Sequence, residues 1–140
     1  MEARDQGQVG AFTRPMEKAR EGRGRRAPRL AVELPGSLVS RRSRAVTVVD
    51  LSLTGCLVRG DAALDTDQVL DLRTELDSAP FTAKVRVTES YLDGSAGSAA
   101  SPRYLTGLAF LGLQAQEEAR LRRFLDEERR RRRGADTPSR

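Results

Sequence analysis

Residues Phe81 to Leu92 read FTAKVRVTESYL, and within them Ala83, Val85 and Val87 alternate with Lys84, Arg86 and Thr88. Successive side chains of an extended chain point to opposite faces, so the alternation describes a strand with one buried and one wet face. Outward from this stretch the same texture recurs in short apolar runs bounded by turn residues: LAVEL from Leu30, AVTVVDL from Ala45, CLV from Cys56, VLDLRTEL from Val69 and YLTGLAFLGL from Tyr104. No helical segment lies between these runs, so the crossovers that a parallel sheet needs are missing. Short strands that must hide their edges close most economically into a ring. The expected fold is therefore all-β, a six-stranded antiparallel β-barrel.

The flanks read differently. Asp93 to Pro102, DGSAGSAASP, holds only small and turn-forming residues and predicts a flexible loop between the last two strands. After Gly112, LQAQEEARLRRFLDEERRRRR predicts a C-terminal α-helix whose narrow stripe of Leu121, Phe124 and Leu125 packs on the sheet. Glu118 with Arg122, Asp126 with Arg130, Glu127 with Arg131 and Glu128 with Arg132 are i,i+4 pairs, and Arg129 to Arg133 suit a helix C-terminus. Gly134 and Pro138 mark where this helix is expected to fray. The arginine run alone is weak evidence for a partner, because such a pattern also stabilises an exposed helix by itself. At the other end, residues 1–24 combine glycine and charge with only isolated apolar positions and predict a flexible basic arm. The division is an arm at 1–24, a folded domain at 25–128 and a basic helix end with a tail at 129–140.

The chain of 140 residues is 38% hydrophobic and 32% charged, enough for one core. Its net charge of +5 comes almost wholly from arginine, Lys18 and Lys84 being the only lysines. Arginine suits fork-shaped recognition of phosphate or of a guanine edge. With no histidine and one cysteine, Cys56, an internal disulfide is excluded and the usual zinc ligands and general base are missing. The acidic residues have no metal-loop spacing, and nothing recognisable would activate Ser52 as a nucleophile. No metal and no catalytic residue is expected. The N-terminus lacks an apolar leader and no run is long enough to span a membrane, so a cytoplasmic protein is expected.

Two sets of residues carry chemistry. In RRAPR, Arg25 and Arg29 bracket Arg26, Ala27 and Pro28 just before the first strand, close enough for two guanidinium groups to grip one phosphate-bearing ligand. In a chain this rich in arginine the same spacing also arises by chance. In DLSLTG, Asp50 and Ser52 stand two apart and would share a polar face while Leu51 and Leu53 turn inward. A carboxylate can accept from the N1 and amine hydrogens of guanine, and Gly55 leaves space for a ring. The same residues also suit a plain hairpin turn at Thr54 and Gly55 in which Asp50 and Ser52 satisfy backbone donors.

Together the two sets resemble the signature of the PilZ family, whose members sense the bacterial second messenger cyclic diguanylate (cyclic di-GMP). That family pairs an arginine, any three residues and an arginine with Asp or Asn, any residue, Ser, any two residues and Gly. Arg25 to Arg29 and Asp50 to Gly55 match in order and separation, and Gly107, Leu108, Ala109 and Phe110 resemble the family's last strand before a terminal helix. The resemblance implies a ligand lying on the outer barrel surface with the arginine segment wrapped over it. Arg25 and Arg29 would grip phosphates and guanine, Asp50 and Ser52 would hold a guanine edge, and Gly55 would permit its approach. Arg23, Arg26 and Arg59 are secondary phosphate candidates. The departures are a long basic arm and Gly24 ahead of Arg25, a position that in the family influences whether one or two ligands bind. The implied role is a non-enzymatic receptor needing no cofactor besides its ligand, which signals by ordering its arginine-rich N-terminal segment toward a downstream effector protein. Two alternatives stand beside it. One is a PilZ-like interaction adaptor with lost or weak nucleotide binding. The other is a nucleic-acid binder acting through basic tails, disfavoured because Phe12, Phe81, Tyr91, Tyr104, Phe110 and Phe124 offer little for bases to stack on.

Overall fold

The computed structural model describes residues 27–98 and 101–136. Its strands are β1 (Leu30–Val39), β2 (Ser43–Leu51), β3 (Gly55–Gly60), β4 (Val69–Leu76), β5 (Ala79–Ser98) and β6 (Ser101–Phe110), followed by the helix α1 (Ala115–Asp136). All pairings are antiparallel, in the order β1-β2-β3-β6-β5-β4, with β4 paired back to β1. Alternation drives the core: Leu70, Leu72, Thr74 and Leu76 of β4 and Phe81, Ala83, Val85 and Val87 of β5 are buried, while most residues between them are not. Phe81 meets Phe110 edge to face with ring centroids 6.3 Å apart.

The barrel expected from the sequence needs one refinement: the ring of strands closes between β1 and β4, but only along a short seam, because strand pairing does not run evenly round the sheet. β1 meets β4 only through Gly36–Val39 against Asp71–Thr74, whereas residues 30–35 of β1 have register partners on β2 alone. The architecture is a six-stranded antiparallel sheet closed on itself along that short seam.

The helix lies at the open end of that seam. Leu121, Phe124 and Leu125 are buried in the same core, as their spacing predicted. Arg120 donates to the carbonyls of Ala79 and Pro80 at the β4–β5 turn, and Arg129 donates to the carbonyl of Pro28 ahead of β1. Nine residues of helix rise about 13 Å, so the two arginines tie its length to both sides of the unpaired stretch. Of the expected i,i+4 pairs, Glu118–Arg122 and Glu128–Arg132 form, while Asp126 reaches Arg129 and Glu128 also reaches Arg131 at i,i+3. Gly134 lies inside the helix, which runs on to Asp136.

A second correction concerns the expected loop at Asp93 to Pro102. β5 continues to Ser98 and β6 begins at Ser101, with Gly97 opposite Pro102 and Ser98 opposite Ser101 after an irregularity between Leu92 and Gly97. Small side chains do not forbid a two-stranded ribbon when one strand already fixes the direction of its neighbour. The β4–β5 turn is tight: Asp77 and Ser78 have φ of 54° and 67°, the two positive values that a type I′ hairpin turn requires.

Candidate functional site

β2 carries the site because of a bulge. Its ladder to β3 pairs Val48 with Val58 but then Asp50 with Leu57, leaving Val49 as an extra residue. Without the insertion Asp50 would follow Val48 into the core. The bulge turns it outward and sends Leu51 in, where Leu51 is paired with Cys56 and both are buried.

On that outer surface Arg29 and Asp50, 21 residues apart in sequence, form an ion pair with both carboxylate oxygens at 2.8 and 3.0 Å from the Arg29 Nη1. The carboxylate keeps 20% and the guanidinium 39% of its exposure, so the pair is open to an incoming ligand. The two halves of the sequence signature therefore meet. Arg59, opposite Thr47 on β3, lies two residues from Leu57, the partner of Asp50, and on the same outward face. Arg23, Arg25 and Arg26 lie outside the described residues.

Ser52 and Gly55 are placed otherwise. Ser52 is 3% exposed, and its hydroxyl closes the turn: it accepts from the backbone N–H of Thr54 and Gly55 at 3.2 and 3.3 Å, and hydrogen bonds link it to Thr54 Oγ1 and the Gly55 carbonyl. The Ser52 amide donates to the same carbonyl at 2.9 Å. At Gly55 a Cβ would sit 2.1 Å from the carbonyl oxygen of Leu108, so the position is held by the close approach of β6 beneath the turn. The polar face expected for Asp50 and Ser52 is thus split, Asp50 outward and Ser52 inward, because the strand ends at Leu51.

Beneath the pair, burial pushes the Cys56 thiol from 9.0 up to about 12, and the Asp50 charge adds to the rise while Arg29 opposes it. The sulfur is a packed core atom and no nucleophile. Among the described residues no cluster of three or more acidic or cysteine side chains is placed to hold a metal, and no helix is long and apolar enough to cross a membrane.

Sequence reading missed Arg129. It stands in an unbroken arginine run, where nothing in the periodicity distinguishes it, yet its Nη2 donates at 3.2 Å to Pro28, the residue before Arg29.

A family model described as the PilZ domain matches residues 24–127. The chain belongs to the PilZ family. Among curated proteins no match is found. Similar solved structures include the PilZ domain of YcgR from Escherichia coli with c-di-GMP, 18% identical, with a TM-score of 0.64 over 81% of this chain and 98% of that one. The Bacillus subtilis inhibitor of motility MotI/DgrA is 15% identical, with a TM-score of 0.63 over 77% of this chain and 53% of that one. The PilZ domain of CeSA from a cellulose-synthesizing bacterium is 18% identical, with a TM-score of 0.54 over 74% and 99%. At these identities the likeness concerns the fold, and it gives this PilZ domain the arrangement seen in the sheet and terminal helix.

Proposed function

We propose that this PilZ domain is a non-enzymatic receptor for cyclic di-GMP. The observation that carries the reading is the ion pair between Arg29 and Asp50, which brings the two halves of the family signature together on the outer surface. The similar YcgR domain was solved with c-di-GMP, which names the ligand class to test. In our reading Arg29, with Arg25, takes the phosphates and Asp50 accepts from a guanine edge, each leaving the other for the ligand. Ser52 and Gly55 contribute by building the turn that fixes Asp50, and Arg59 is a secondary phosphate contact. Binding orders the segment Arg20 to Arg26 over the sheet, Arg29 at the end of the expected span already meeting Asp50; the step is supported by the segment's arginines, which a polyanion would neutralise, and it presents a new surface to an effector protein.

Calorimetric titration with cyclic di-GMP, its linear analogue and cyclic di-AMP tests the receptor reading. Saturable binding that prefers cyclic di-GMP supports it, and equal or absent binding of all three overturns it. Backbone NMR relaxation at Gly22, Gly24 and Arg26 tests the ordering step, which falls if their nanosecond mobility is the same with and without ligand.

A further inference from the structure

Pro28 lacks an amide hydrogen but offers a carbonyl, and that carbonyl lies between the two arginines of the signature. Its described hydrogen-bond donor comes from the far end of the chain, Arg129 at 3.2 Å across 101 residues. The donor is itself steered: Arg129 stands 4.0 Å from the Asp126 carboxylate one turn earlier and keeps 29% exposure. The helix beneath it is anchored by the buried Leu121, Phe124 and Leu125, and by Arg120 on the Ala79 and Pro80 carbonyls. A rigid body thus holds the peptide group that immediately precedes Arg29. Fixing that carbonyl fixes the plane of the Pro28–Arg29 peptide, and with Leu30 held in β1 on the other side this narrows the direction in which the Arg29 side chain leaves the backbone.

We propose that Arg129 is a positioning residue for the ligand site, which by holding the Pro28 carbonyl sets Arg29 against Asp50 before any ligand arrives. The inference rests on the receptor reading for its functional meaning but on ligand-free geometry for its substance. A guanidinium held in place loses less freedom on binding, so the anchor raises affinity without touching the ligand.

The test compares Arg129→Ala, Arg129→Lys and the control Arg122→Ala in the full chain. The control removes a helix-surface ion pair of similar kind, Arg122 with Glu118, away from Pro28. Ligand-free NMR relaxation should show the Arg29 amide passing from an order parameter of about 0.85 to below about 0.6 in Arg129→Ala alone, with recovery in Arg129→Lys. Affinity for cyclic di-GMP should fall roughly 5-fold in Arg129→Ala and recover in part with lysine, which still offers a donor. Unchanged Arg29 order in Arg129→Ala overturns the proposal, as does equal weakening by Arg122→Ala, which would mean general loosening of the helix. If the parent fails to bind cyclic di-GMP, the receptor reading falls while the ligand-free relaxation still decides the role of Arg129.

Discussion

Asp50 and Ser52 belong to one short motif and to two different parts of the molecule. Asp50 is turned outward by the bulge at Val49 and meets Arg29 at the surface, whereas Ser52 is sealed inside the turn with Gly55 pressed against β6. On the proposed reading, a motif that looks like one binding surface is half contact and half scaffold. Substitutions should therefore separate into those that unfold the turn and those that only blind it.

The largest effect should come from the scaffold half. In Gly55→Ala the new methyl overlaps the Leu108 carbonyl, a backbone atom that cannot swing aside, so β3 and β6 must part. The expected loss is about 3 kcal/mol, in the range of severe overpacking, measurable as a fall in urea midpoint. A variant as stable as the parent would show that β6 does not press on the turn at Gly55.

The contact half should behave oppositely. Arg29→Ala and Asp50→Ala each remove charge-assisted hydrogen bonds at an exposed position and should weaken cyclic di-GMP binding by roughly 10-fold to 100-fold, about 1.5 to 3 kcal/mol. Their stability should change by less than about 1 kcal/mol, since partly exposed ion pairs add little to folding. Asp50→Ala should also blunt the preference for cyclic di-GMP over cyclic di-AMP, and an unchanged preference would remove Asp50 from base recognition.

Ser52→Ala sharpens the contrast. It strips the turn of a buried hydroxyl serving the amides of Thr54 and Gly55, which should cost about 1 to 2 kcal/mol of stability. Affinity of the folded fraction should change by less than roughly 3-fold, well short of one lost charge-assisted contact. A loss of affinity as large as that of Asp50→Ala at unchanged stability would place Ser52 with the contacts.

Near neutral pH the smallest effect is the ionisation of Cys56, below both halves. Its folded thiol titrates at about 12 against an ordinary 9.0, so the folded protein holds the proton more tightly than the unfolded chain. That contribution to stability is complete below pH 9.0 and is lost as pH rises toward 12. Cys56→Ala should flatten the alkaline fall of a stability profile across this window, and an identical slope in the variant would mean that other groups cause it.

Much of this was legible in the residues. Period-two alternation marked β5 and short apolar runs marked the other strands, although β1 runs on past LAVEL to Val39 and β5 past Leu92 to Ser98. Leu121, Phe124 and Leu125 announced the packed face of the helix because burial there is periodic. The joining of Arg29 to Asp50 followed from a family pattern, since no local rule links residues 21 apart. Other features were hidden for physical reasons. A bulge adds one residue without changing composition, so the outward turn of Asp50 at Val49 had no signal, whereas the inward Ser52 matches the plain hairpin turn that the same residues also suited. Small residues at Asp93 to Pro102 suit a loop and a ribbon equally. The short seam depends on pairing between β1 and β4, which carries no mark in either strand, and Arg129 differs from its neighbours only in what the folded chain places beside it.

That seam has a mechanical consequence. From Gly36 to Val39, β1 is clamped by β2 on one side and β4 on the other, while its first residues, with Ala31 opposite Asp50, are clamped by β2 alone. A segment with hydrogen-bonded neighbours on one side opens at lower free energy than one held on both. Arg29 is thus attached to the end of a strand that has fewer strand neighbours than its other end. Strain applied at Arg29 is shared between the first half of β1 and, through Pro28, Arg129 of the helix before it reaches the β4 ladder, so the surface around Arg29 and the doubly clamped half of the strand need not move together.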